Sequence, residues 1–363
     1  MRKVNIFHEW LDTAGGAELV LEELLKLFPE ATIYTLWADQ SFKESLGVNI
    51  EVSFLQRLSP RIRRTVGLPL MPLAWKILSR KIGDHDLSIT SSWVFGHSAI
   101  PKRFESKSFH YIHTPARYWW NPEVDNRTRM KIPTFVLHIF RKLDKFLARN
   151  HLNVLANSNS TKDRIFEYWS LESVVVHPPV DVDFFDYARV VNLKKQANFL
   201  LCVGRFVPYK GHDIAIRLGE ALNLPVVLVG HGSGEEKLRK LAAKSTIEVM
   251  FEINASRERI RELYSQCYCL VYPAIEDFGI VPVEAMAVGA LVLGVKKGGL
   301  SDSVIQDETG SLAPSLNLKD LLETFHNLPA HNRSIARSQS LKFSKENFHS
   351  KIIEYVEFRQ LLC

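Results

Sequence analysis

Short apolar runs alternate along this chain with longer stretches in which apolar residues recur every three or four positions. Runs of roughly four to eight apolar residues are typical of buried strands, and the longer period is typical of helices that cover a sheet. The alternation therefore predicts parallel βα units. The predicted strands are residues 4–7, 32–36, 51–55, 86–90, 109–113, 153–157, 173–177, 198–204, 225–230, 247–251, 268–272 and 290–294.

The pattern predicts an α/β fold with two tandem Rossmann-like, doubly wound domains. A chain of 363 residues is long enough for two domains, and the proline-containing segment after His177 interrupts the periodicity. In such sheets a ligand binds at the carboxyl ends of the strands, so we expect one in a cleft between the domains. The expected segments are residues 1–180 for the first domain, 181–196 for a linker, 197–344 for the second domain and 345–363 for a helix that crosses back to the first.

Charge is distributed unevenly along the chain. Residues 1–180 contain 24 Lys and Arg against 18 Asp and Glu, whereas the remainder contains 22 of each. The interval from Arg57 to Lys81 has seven basic residues, no acidic residue and many apolar ones. This mixture predicts contact with an anionic membrane surface or a lipid-linked substrate. A solvated helical face beside ordinary core residues explains it equally well.

Composition restricts the other partners. The apolar fraction of 46% and the charged fraction of 24% are those of a globular protein. No apolar run approaches a membrane span, and the first residues do not resemble a signal peptide. We therefore expect a cytoplasmic protein, which the basic interval would place at the inner face of the membrane. No nucleic-acid-binding motif is present, so nucleic acid is not an expected partner.

Two carboxylates, Glu276 and Glu284, flank a predicted strand-to-helix junction after residues 268–272. Such a junction offers unpaired backbone N–H groups and the positive end of a helix dipole, both of which favour phosphate. Each carboxylate can accept hydrogen bonds from sugar hydroxyls on one side of that phosphate. The segment therefore predicts a nucleotide-diphosphate sugar as substrate.

Two cations follow the first predicted strand of the second domain. Arg205 and Lys210 are five residues apart on one loop, so both can reach one diphosphate; the alternative is that both are solvated surface cations. Gly230, in the sequence Gly-His-Gly-Ser-Gly, follows the next strand. Its backbone can also approach phosphate or base, although the motif alone is weak.

In the first domain, Gly15 and Gly16 follow the first strand and begin a predicted helix. Glycines there let the backbone approach a bulky anion, but paired glycines also occur in ordinary loops. His113 ends another apolar run and precedes a proline and the aromatic residues 118–120. A lone histidine is more often structural than catalytic. Its position at a strand end nevertheless makes it a candidate for contact with a sugar.

These motifs together resemble the retaining nucleotide-sugar glycosyltransferases of family 4, from the first strand to about residue 345. That family has the GT-B architecture, in which two Rossmann-like domains face a central cleft. The sequence His113-Thr-Pro-Ala-Arg-Tyr-Trp-Trp further resembles bacterial mannosyltransferases of O-antigen and exopolysaccharide synthesis. The segments that carry the family resemblance are Gly204-Arg-x4-Lys-Gly, Glu276-x-Phe-Gly-x4-Glu-Ala-Met-Ala-x-Gly, Gly298-Gly299 and Thr309-Gly310.

The resemblance implies roles for individual residues. Arg205 and Lys210 would stabilise the leaving diphosphate without a metal ion or other cofactor. Glu276 would hold donor-sugar hydroxyls, and Glu284 would hold the ribose. His113 would contact the donor sugar. The remaining expected donor-binding residues are Gly15, Gly16, Gly230, Phe278, Gly279 and Ile280.

The sequence thus predicts an enzyme that transfers a hexose with retention to a glycan or lipid-linked acceptor in cell-surface polysaccharide synthesis, such as that of lipopolysaccharide. Mannose from GDP-mannose is the preferred donor, and UDP-glucose or UDP-N-acetylglucosamine remains open. A GT-B epimerase acting on a nucleotide sugar and an inactive nucleotide-sugar-binding scaffold are the other possibilities. The oligomeric state, the acceptor and the linkage are not encoded in any motif.

Overall fold

The computed structural model describes residues 3–13, 15–63, 67–122, 133–190 and 198–362. The chain forms two compact units. Unit 1 comprises Met1–Pro179 and Phe348–Cys363, and unit 2 comprises Val180–Asn347. Each unit is built on one parallel β-sheet, as expected for the predicted fold class. Among the described residues, every helix is too short or too polar to span a lipid bilayer.

Unit 1 contains a seven-stranded sheet with the order β3-β2-β1-β4-β5-β6-β7. All paired strands are parallel. Strand order reverses between β1 and β4, which is where doubly wound folds bind ligands. The strands are β1 Val4–His8, β2 Thr32–Thr35, β3 Ile50–Val52, β4 Leu87–Ser92, β5 Ser108–Ile112, β6 Val154–Ala156 and β7 Val174–Val175.

Unit 2 contains a six-stranded parallel sheet with the order β10-β9-β8-β11-β12-β13. Its central strands are apolar and fully buried, because helices cover both faces of a parallel sheet. The reversal of strand order falls between β8 and β11. The strands are β8 Leu200–Val203, β9 Val226–Val229, β10 Val249–Glu252, β11 Cys269–Tyr272, β12 Val292–Val295 and β13 Gly310–Ala313.

Helices connect the strands in both units. Those before the second sheet are α1 Gly16–Leu27, α2 Gln40–Leu46, α3 Pro60–Arg63, α4 Met71–Leu78, α5 Arg117–Trp120, α6 Thr134–Ala148 and α7 Asn159–Trp169. Those that follow are α8 His212–Leu222, α9 Glu235–Ala242, α10 Arg257–Gln266, α11 Ile280–Val288, α12 Leu300–Ser303, α13 Leu318–His326, α14 Arg333–Leu341 and α15 Lys345–Phe358. Short 3₁₀ helices span Phe54–Arg57, Leu68–Leu70, Ser79–Lys81, Gly96–Ser98, Lys102–Lys107, Tyr187–Arg189 and Pro208–Lys210.

Helix α15 begins at the end of unit 2 and then becomes part of unit 1. Its residues Phe348 and Tyr355 are buried in the core of unit 1. The ring of Phe348 lies 6.0 Å from that of Tyr111, and the ring of Tyr355 lies 6.2 Å from that of Phe109, both edge-on. Side chains from β5 therefore bind the segment for which the sequence predicts a return to the first domain.

The first residues of the predicted linker, 181–196, pack in the core of unit 2. Val182 and Phe185 are buried in the core of unit 2, and the ring of Phe185 lies edge-on to that of Tyr264 at 5.8 Å. The main-chain N–H of Val180 also donates to Phe343 at 2.8 Å. Residues 191–196 of the predicted linker lie outside the described residues.

Two local predictions differ from the structure. The strand predicted at residues 51–55 ends at Val52, because the Ser53 hydroxyl accepts from the Leu55 N–H and begins a 3₁₀ helix. Strand β13 was not predicted at all. Its sequence, Gly-Ser-Leu-Ala, contains only one strongly apolar residue, and its pairing with β12 places it in the sheet.

The basic interval from Arg57 to Lys81 has a mixed environment. Arg63 is buried, and its guanidinium donates to the carbonyls of Gln56 and Leu58, so it serves the fold instead of the surface. Lys81 pairs with Glu51 at 2.7 Å. Arg64 lies outside the described residues. The exposed basic residues of the interval are Arg57, Arg61, Lys76, Arg80 and Lys81.

Candidate active site

The loop after β8 holds the two predicted phosphate-binding cations at the carboxyl edge of the unit 2 sheet. Arg205 is exposed, and its guanidinium donates to the Tyr209 hydroxyl at 3.1 Å. Lys210 ends a 3₁₀ helix and is followed by Gly211 at φ +67°. A Cβ on Gly211 would lie 2.6 Å from the Pro273 carbonyl oxygen. Glycine is therefore needed there to seat Lys210 against the end of β11.

Lys210 and Glu276 form an ion pair at this edge. The distance from Lys210 Nζ to Glu276 Oε1 is 2.5 Å, and the two side chains are 11% and 23% exposed. The Tyr272 hydroxyl, on the last residue of β11, donates to the other Glu276 oxygen. The Lys210 ammonium also lies 5.7 Å from the Tyr272 ring. One carboxylate is thus oriented by a cation and a phenol, which leaves the ammonium able to share further anionic ligands.

Gly298 and Gly299 support the backbone that carries Glu276. Gly298 has φ +71°, and a Cβ there would lie 2.3 Å from the Glu276 carbonyl oxygen. A Cβ on Gly299 would lie 2.2 Å from Phe278 Cα, and its N–H donates to the Glu276 carbonyl at 2.9 Å. The glycine pair of the predicted motif therefore shapes the loop that carries Glu276.

Helix α11 begins directly after this loop. Gly279, its N-cap residue, has φ +92°, a conformation that favours glycine. Ile280 is the first helical residue and is partly buried, whereas Phe278 is buried and packs against Phe343. The unpaired N–H groups of the first turn lie just beyond Gly279, where a phosphate is favoured.

Glu284 lies inside α11, one turn from its start, in a separate contact. The Tyr264 hydroxyl donates to Glu284 Oε2 at 3.3 Å. Burial raises the pKa of Glu284 to about 7, against an opposing effect of the nearby Arg257 charge. This side chain can therefore accept or donate hydrogen bonds near neutral pH.

The structure gives Gly230 a packing role. Gly230 has φ +143°, and a Cβ there would lie 2.0 Å from the Gly204 carbonyl oxygen. The Phe206 N–H donates to His231, and the Gly234 N–H donates to Phe206. The loop after β9 thus packs against the Arg205 loop, and donor binding by Gly230 stays a prediction.

At the carboxyl edge of the unit 1 sheet, a hydroxyl links two histidines. His113 Nε2 lies 2.8 Å from Ser91 Oγ, and His8 Nδ1 lies 3.1 Å from the same oxygen. His8 Nε2 faces Glu18 Oε1 at 3.6 Å. A Cβ on Gly15 would lie 3.1 Å from Glu18 Oε2, so the glycine loop contacts this network. Gly16 is the first residue of α1.

One tryptophan ring contacts both histidines and links them to two further tryptophans. The ring of Trp93 lies edge-on to His8 at 5.0 Å and to His113 at 5.8 Å. Trp93 also meets Trp10, which stacks on Trp37 at 4.9 Å. Indole faces and imidazole nitrogens together are a typical environment for a hydroxylated ring.

Sequence reasoning located part of this arrangement. It identified Lys210 and Glu276, which the structure brings into contact, and His113. It missed Tyr272 and the network of His8, Ser91 and Glu18. A signal for Tyr272 and His8 was present, because each ends an apolar strand at a ligand-binding edge; nothing in the sequence marked Ser91.

Comparisons with known proteins identify related sequences. Residues 183–337 match the family model of the group 1 glycosyl transferases. Over 98% of its length the chain is 25% identical to a GDP-Man:Man(3)GlcNAc(2)-PP-Dol alpha-1,2-mannosyltransferase of Dictyostelium discoideum, of which it covers 84%. A D-inositol 3-phosphate glycosyltransferase of Streptomyces bingchenggensis is 27% identical over 68% of the chain, which spans 60% of that relative.

Solved structures share the fold. The Anabaena protein Alr3699/HepE, solved in complex with UDP, superposes with a TM-score of 0.70 at 20% identity, covering 98% of this chain and 99% of that protein. Identity at this level shows the fold, and the family match lies in the unit that carries Lys210 and Glu276. The chain thus has the GT-B fold, and the match of its residues 183–337 to the group 1 glycosyl transferases supports a glycosyltransferase.

Proposed function

We propose that this protein is a retaining hexosyltransferase of family 4 that uses a nucleotide-diphosphate sugar. The observation that carries the proposal is the contact of Lys210 with Glu276 beside the start of α11. It combines a cation, a sugar-binding carboxylate and unpaired backbone donors at one sheet edge. A nucleotide-diphosphate sugar offers negative oxygens next to hydroxyls, which is the pattern that these groups complement.

In this proposal each group acts at a stated part of the donor. Arg205 and Lys210 neutralise the diphosphate as it leaves, and the N–H groups after Gly279 bind a phosphate oxygen. Glu276 accepts hydrogen bonds from the transferred sugar, and Glu284 binds the ribose. The cationic pair takes the place of a divalent metal, so the transfer needs no metal ion and no cofactor.

The retention in this proposal comes from the family resemblance and implies front-face attack. The acceptor hydroxyl attacks the anomeric carbon on the face from which the diphosphate leaves, and a departing phosphate oxygen takes the hydroxyl proton. Stabilising negative charge on that oxygen is then the main catalytic requirement. In unit 1, His113 contacts the donor sugar, and Gly15 and Gly16 bind the donor through their backbone.

GDP-mannose is our preferred donor. The Dictyostelium relative with 25% identity is named as a GDP-mannose enzyme, which supports mannose transfer to a glycan or lipid-linked acceptor in cell-surface polysaccharide synthesis. The Anabaena structure in complex with UDP-glucose supports a UDP-sugar, such as UDP-glucose or UDP-N-acetylglucosamine, as the second candidate.

A panel of nucleotide sugars tests the assignment. The full chain is incubated with GDP-mannose, UDP-glucose and UDP-N-acetylglucosamine, and nucleotide release and the shift in Tm are measured for each. We expect one donor to stabilise the protein and to be turned over, and NMR of the product to show an unchanged anomeric configuration. A donor converted to its epimer would identify an epimerase, and binding without turnover or transfer would identify a scaffold; either result contradicts the proposal.

We further propose that unit 1 contacts an anionic membrane surface at the cytoplasmic face. In the interval from Arg57 to Lys81, the apolar residues Leu73 and Ile77 are 50% and 42% exposed beside exposed Lys76 and Arg80. Such a mixture suits lipid tails and anionic headgroups together.

Helix α6 has a second exposed face of the same kind. It exposes Phe135, Ile139 and Phe146, at spacings that put them on one helical face with basic residues. The apolar members are 68%, 59% and 54% exposed. The exposed basic residues of the helix and its C-cap are Lys142, Lys145 and Arg149.

Co-sedimentation with liposomes tests membrane contact. We expect the protein to bind vesicles that contain anionic lipid, and the double change Leu73→Ser with Ile77→Ser to weaken that binding. Ile353→Ser, at a residue that is 45% exposed on α15, is the matched control. Equal binding to neutral and anionic vesicles would contradict the proposal.

A further inference from the structure

A second histidine cluster lies in unit 1, among groups that the proposed transfer does not use. It comprises Glu105, on the 3₁₀ helix before β5, His110 on β5 and His151 before β6. His97 and Asp144 adjoin it. Each of these side chains is at most 10% exposed. Five buried ionisable side chains in mutual contact require that every proton and lone pair be matched.

The hydrogen bonding of the cluster is fixed at Asp144. The indole N–H groups of Trp120 and Trp169 both donate to Asp144 Oδ2 at 2.7 Å, so this carboxylate is an acceptor. Its other oxygen lies 3.0 Å from His97 Nε2. His97 must therefore carry a proton on Nε2 and donate it.

This assignment propagates through the next ring. A neutral His97 with its proton on Nε2 has a bare Nδ1, which lies 3.1 Å from His151 Nε2. That nitrogen of His151 must then donate, so the neutral His151 ring has its lone pair on Nδ1. His151 Nδ1 has no hydrogen-bond partner and faces Glu105 Oε1 at 3.5 Å. With its lone pair on Nδ1, His151 can share a cation with that carboxylate oxygen.

His110 reaches the same carboxylate oxygen. Its Nε2 lies 2.9 Å from Glu105 Oε1, and its Nδ1 lies 3.1 Å from the Thr90 hydroxyl. The Leu152 N–H also donates to Glu105 Oε1 at 3.2 Å. Two imidazoles and one carboxylate therefore present ligand atoms that all lie within 4.8 Å of one another.

We propose that Glu105, His110 and His151 bind a divalent transition-metal ion, with Zn²⁺ the best match. Imidazole and carboxylate are the ligands that Zn²⁺ accepts at about 2.0–2.2 Å in tetrahedral sites. The rings of His110 and His151 stack with their centroids 3.8 Å apart, so they must tilt apart for both nitrogens to reach one ion. The fourth position can be taken by water or by the second oxygen of Glu105.

The two histidines also have the hydrogen bonds that usually support metal-binding histidines. Metal-binding histidines usually engage the other ring nitrogen in a hydrogen bond that fixes the tautomer. Here Thr90 contacts the other nitrogen of His110, and His97, held by Asp144, contacts that of His151. Each ring therefore has a hydrogen-bond partner for the nitrogen that does not face Glu105.

The bound ion would stabilise unit 1 and take no part in transfer. It would join the 3₁₀ helix Lys102–Lys107, β5 and the turn before β6, which are separate in sequence. Because an unfolded chain does not hold these ligands together, metal affinity contributes to folding stability. This inference is independent of the proposed function, which concerns the other edge of the sheet.

Metal content of the wild-type protein is the decisive measurement. The full chain, with any affinity tag removed, is analysed by inductively coupled plasma mass spectrometry, then treated with a chelator and titrated with Zn²⁺ or Co²⁺. We expect about one metal ion per chain, a Tm that falls on chelation and recovers with Zn²⁺, and visible Co²⁺ bands of a tetrahedral site. Protein that holds no metal, shows no Co²⁺ bands and keeps its Tm when Zn²⁺ is added overturns the proposal; an imidazolium proton then fills the gap.

Variants separate binding from folding. His151→Ala and Glu105→Gln should abolish Co²⁺ bands, and His97→Ala should weaken Zn²⁺ binding by about 10- to 100-fold, as losses of such outer contacts do. His85→Gln is the control, since His85 is also buried in unit 1 and hydrogen-bonded to Ser88. It should lower Tm but keep the metal. Equal metal binding in His151→Ala and wild type would contradict the assignment.

Discussion

The carboxyl edges of the two sheets carry different chemistry. In unit 2, charged groups meet directly, with Lys210 against Glu276. In unit 1, His8 and His113 meet through the uncharged hydroxyl of Ser91. Both sets occupy the strand ends where order reverses in a doubly wound sheet, so one architectural position serves two purposes.

In the proposed function, the edge of unit 2 stabilises a diphosphate and the edge of unit 1 binds a sugar ring. An ion pair in a partly buried setting responds strongly to a new charge, as expected for binding a diphosphate. Imidazole and hydroxyl groups provide directional hydrogen bonds and suit uncharged hydroxylated rings. Substitutions in unit 2 should therefore have the larger effects on turnover, and those in unit 1 the smaller effects.

The largest effect is expected at the cation of unit 2. In the proposed mechanism Lys210→Ala removes a positive charge from the leaving diphosphate, so it should lower kcat/KM by about a hundred- to a thousandfold, on the order of 3–4 kcal/mol. Steady-state kinetics with the donor identified in the panel measures it. Lys240→Ala, at a lysine whose side chain is 74% exposed, is the control. A loss below threefold in Lys210→Ala would contradict the role.

The second effect is expected from Gly298→Ala, a backbone change next to Glu276, and it is an effect on stability. Gly298→Ala forces a side chain onto a residue at φ +71° and against the Glu276 carbonyl. Strain and overlap together should cost about 2–5 kcal/mol of stability. Gly47→Ala is the matched control, since Gly47 has φ +63° and nothing within 4 Å of the added Cβ.

Thermal unfolding and hydrogen exchange of residues 276–288 check this prediction. We expect Gly298→Ala to lower Tm more than Gly47→Ala and to speed exchange at the start of α11. Equal losses in the two variants would mean that only backbone strain matters and that the glycine pair does not shape the Glu276 loop.

Glu284 should produce a pH-dependent effect. Its pKa is about 7 in the folded protein, above the usual 4.5, chiefly through burial. The resulting stability is fully present below pH 4.5 and is lost as the pH rises through 7. Relative to Glu284→Gln, which does not titrate, wild type should lose up to about 3 kcal/mol across that range. Urea unfolding of both proteins at matched pH values measures the difference in their free energies of unfolding. A difference that does not change with pH would contradict the raised pKa of Glu284.

The smallest effect is expected at the hydroxyl of unit 1. Ser91→Ala removes the group that joins His8 to His113 and should cost about 1 kcal/mol of stability, with a severalfold loss of kcat/KM. All seven tryptophans of the chain belong to unit 1, so tryptophan fluorescence follows its unfolding. Ser45→Ala, at an exposed serine of α2, is the control. If Ser91→Ala lowered kcat/KM as much as Lys210→Ala, the expected difference between the two sheet edges would be wrong.

Much of the fold was predictable because burial on both faces leaves a simple signature. Strands such as Leu200–Val203 and Val226–Val229 are continuous apolar runs, and parallel sheets produce such runs. Strand β13 escaped prediction because pairing with β12, not its own residues, places it in the sheet. The 3₁₀ helix after Ser53 likewise depends on one local side-chain hydrogen bond.

The site was predictable where function and local sequence coincide. Glu276 and Lys210 stand out because charged residues directly follow apolar strands. The partners of His113 come from β1 and β4, far away in sequence, and only the register of the sheet brings Ser91 next to it. The buried cluster around Glu105 was invisible for the same reason, since its five members are scattered from His97 to His151.

Helix α15 has a consequence for the order of synthesis. In unit 1, Phe348 and Tyr355 cover Phe109 and Tyr111. Phe348 and Tyr355 leave the ribosome only after all of unit 2. The part of the first sheet that contains Phe109 and Tyr111 therefore stays uncovered until the second sheet has been synthesised. Any truncation before residue 348 would leave that face open to aggregation or to chaperones.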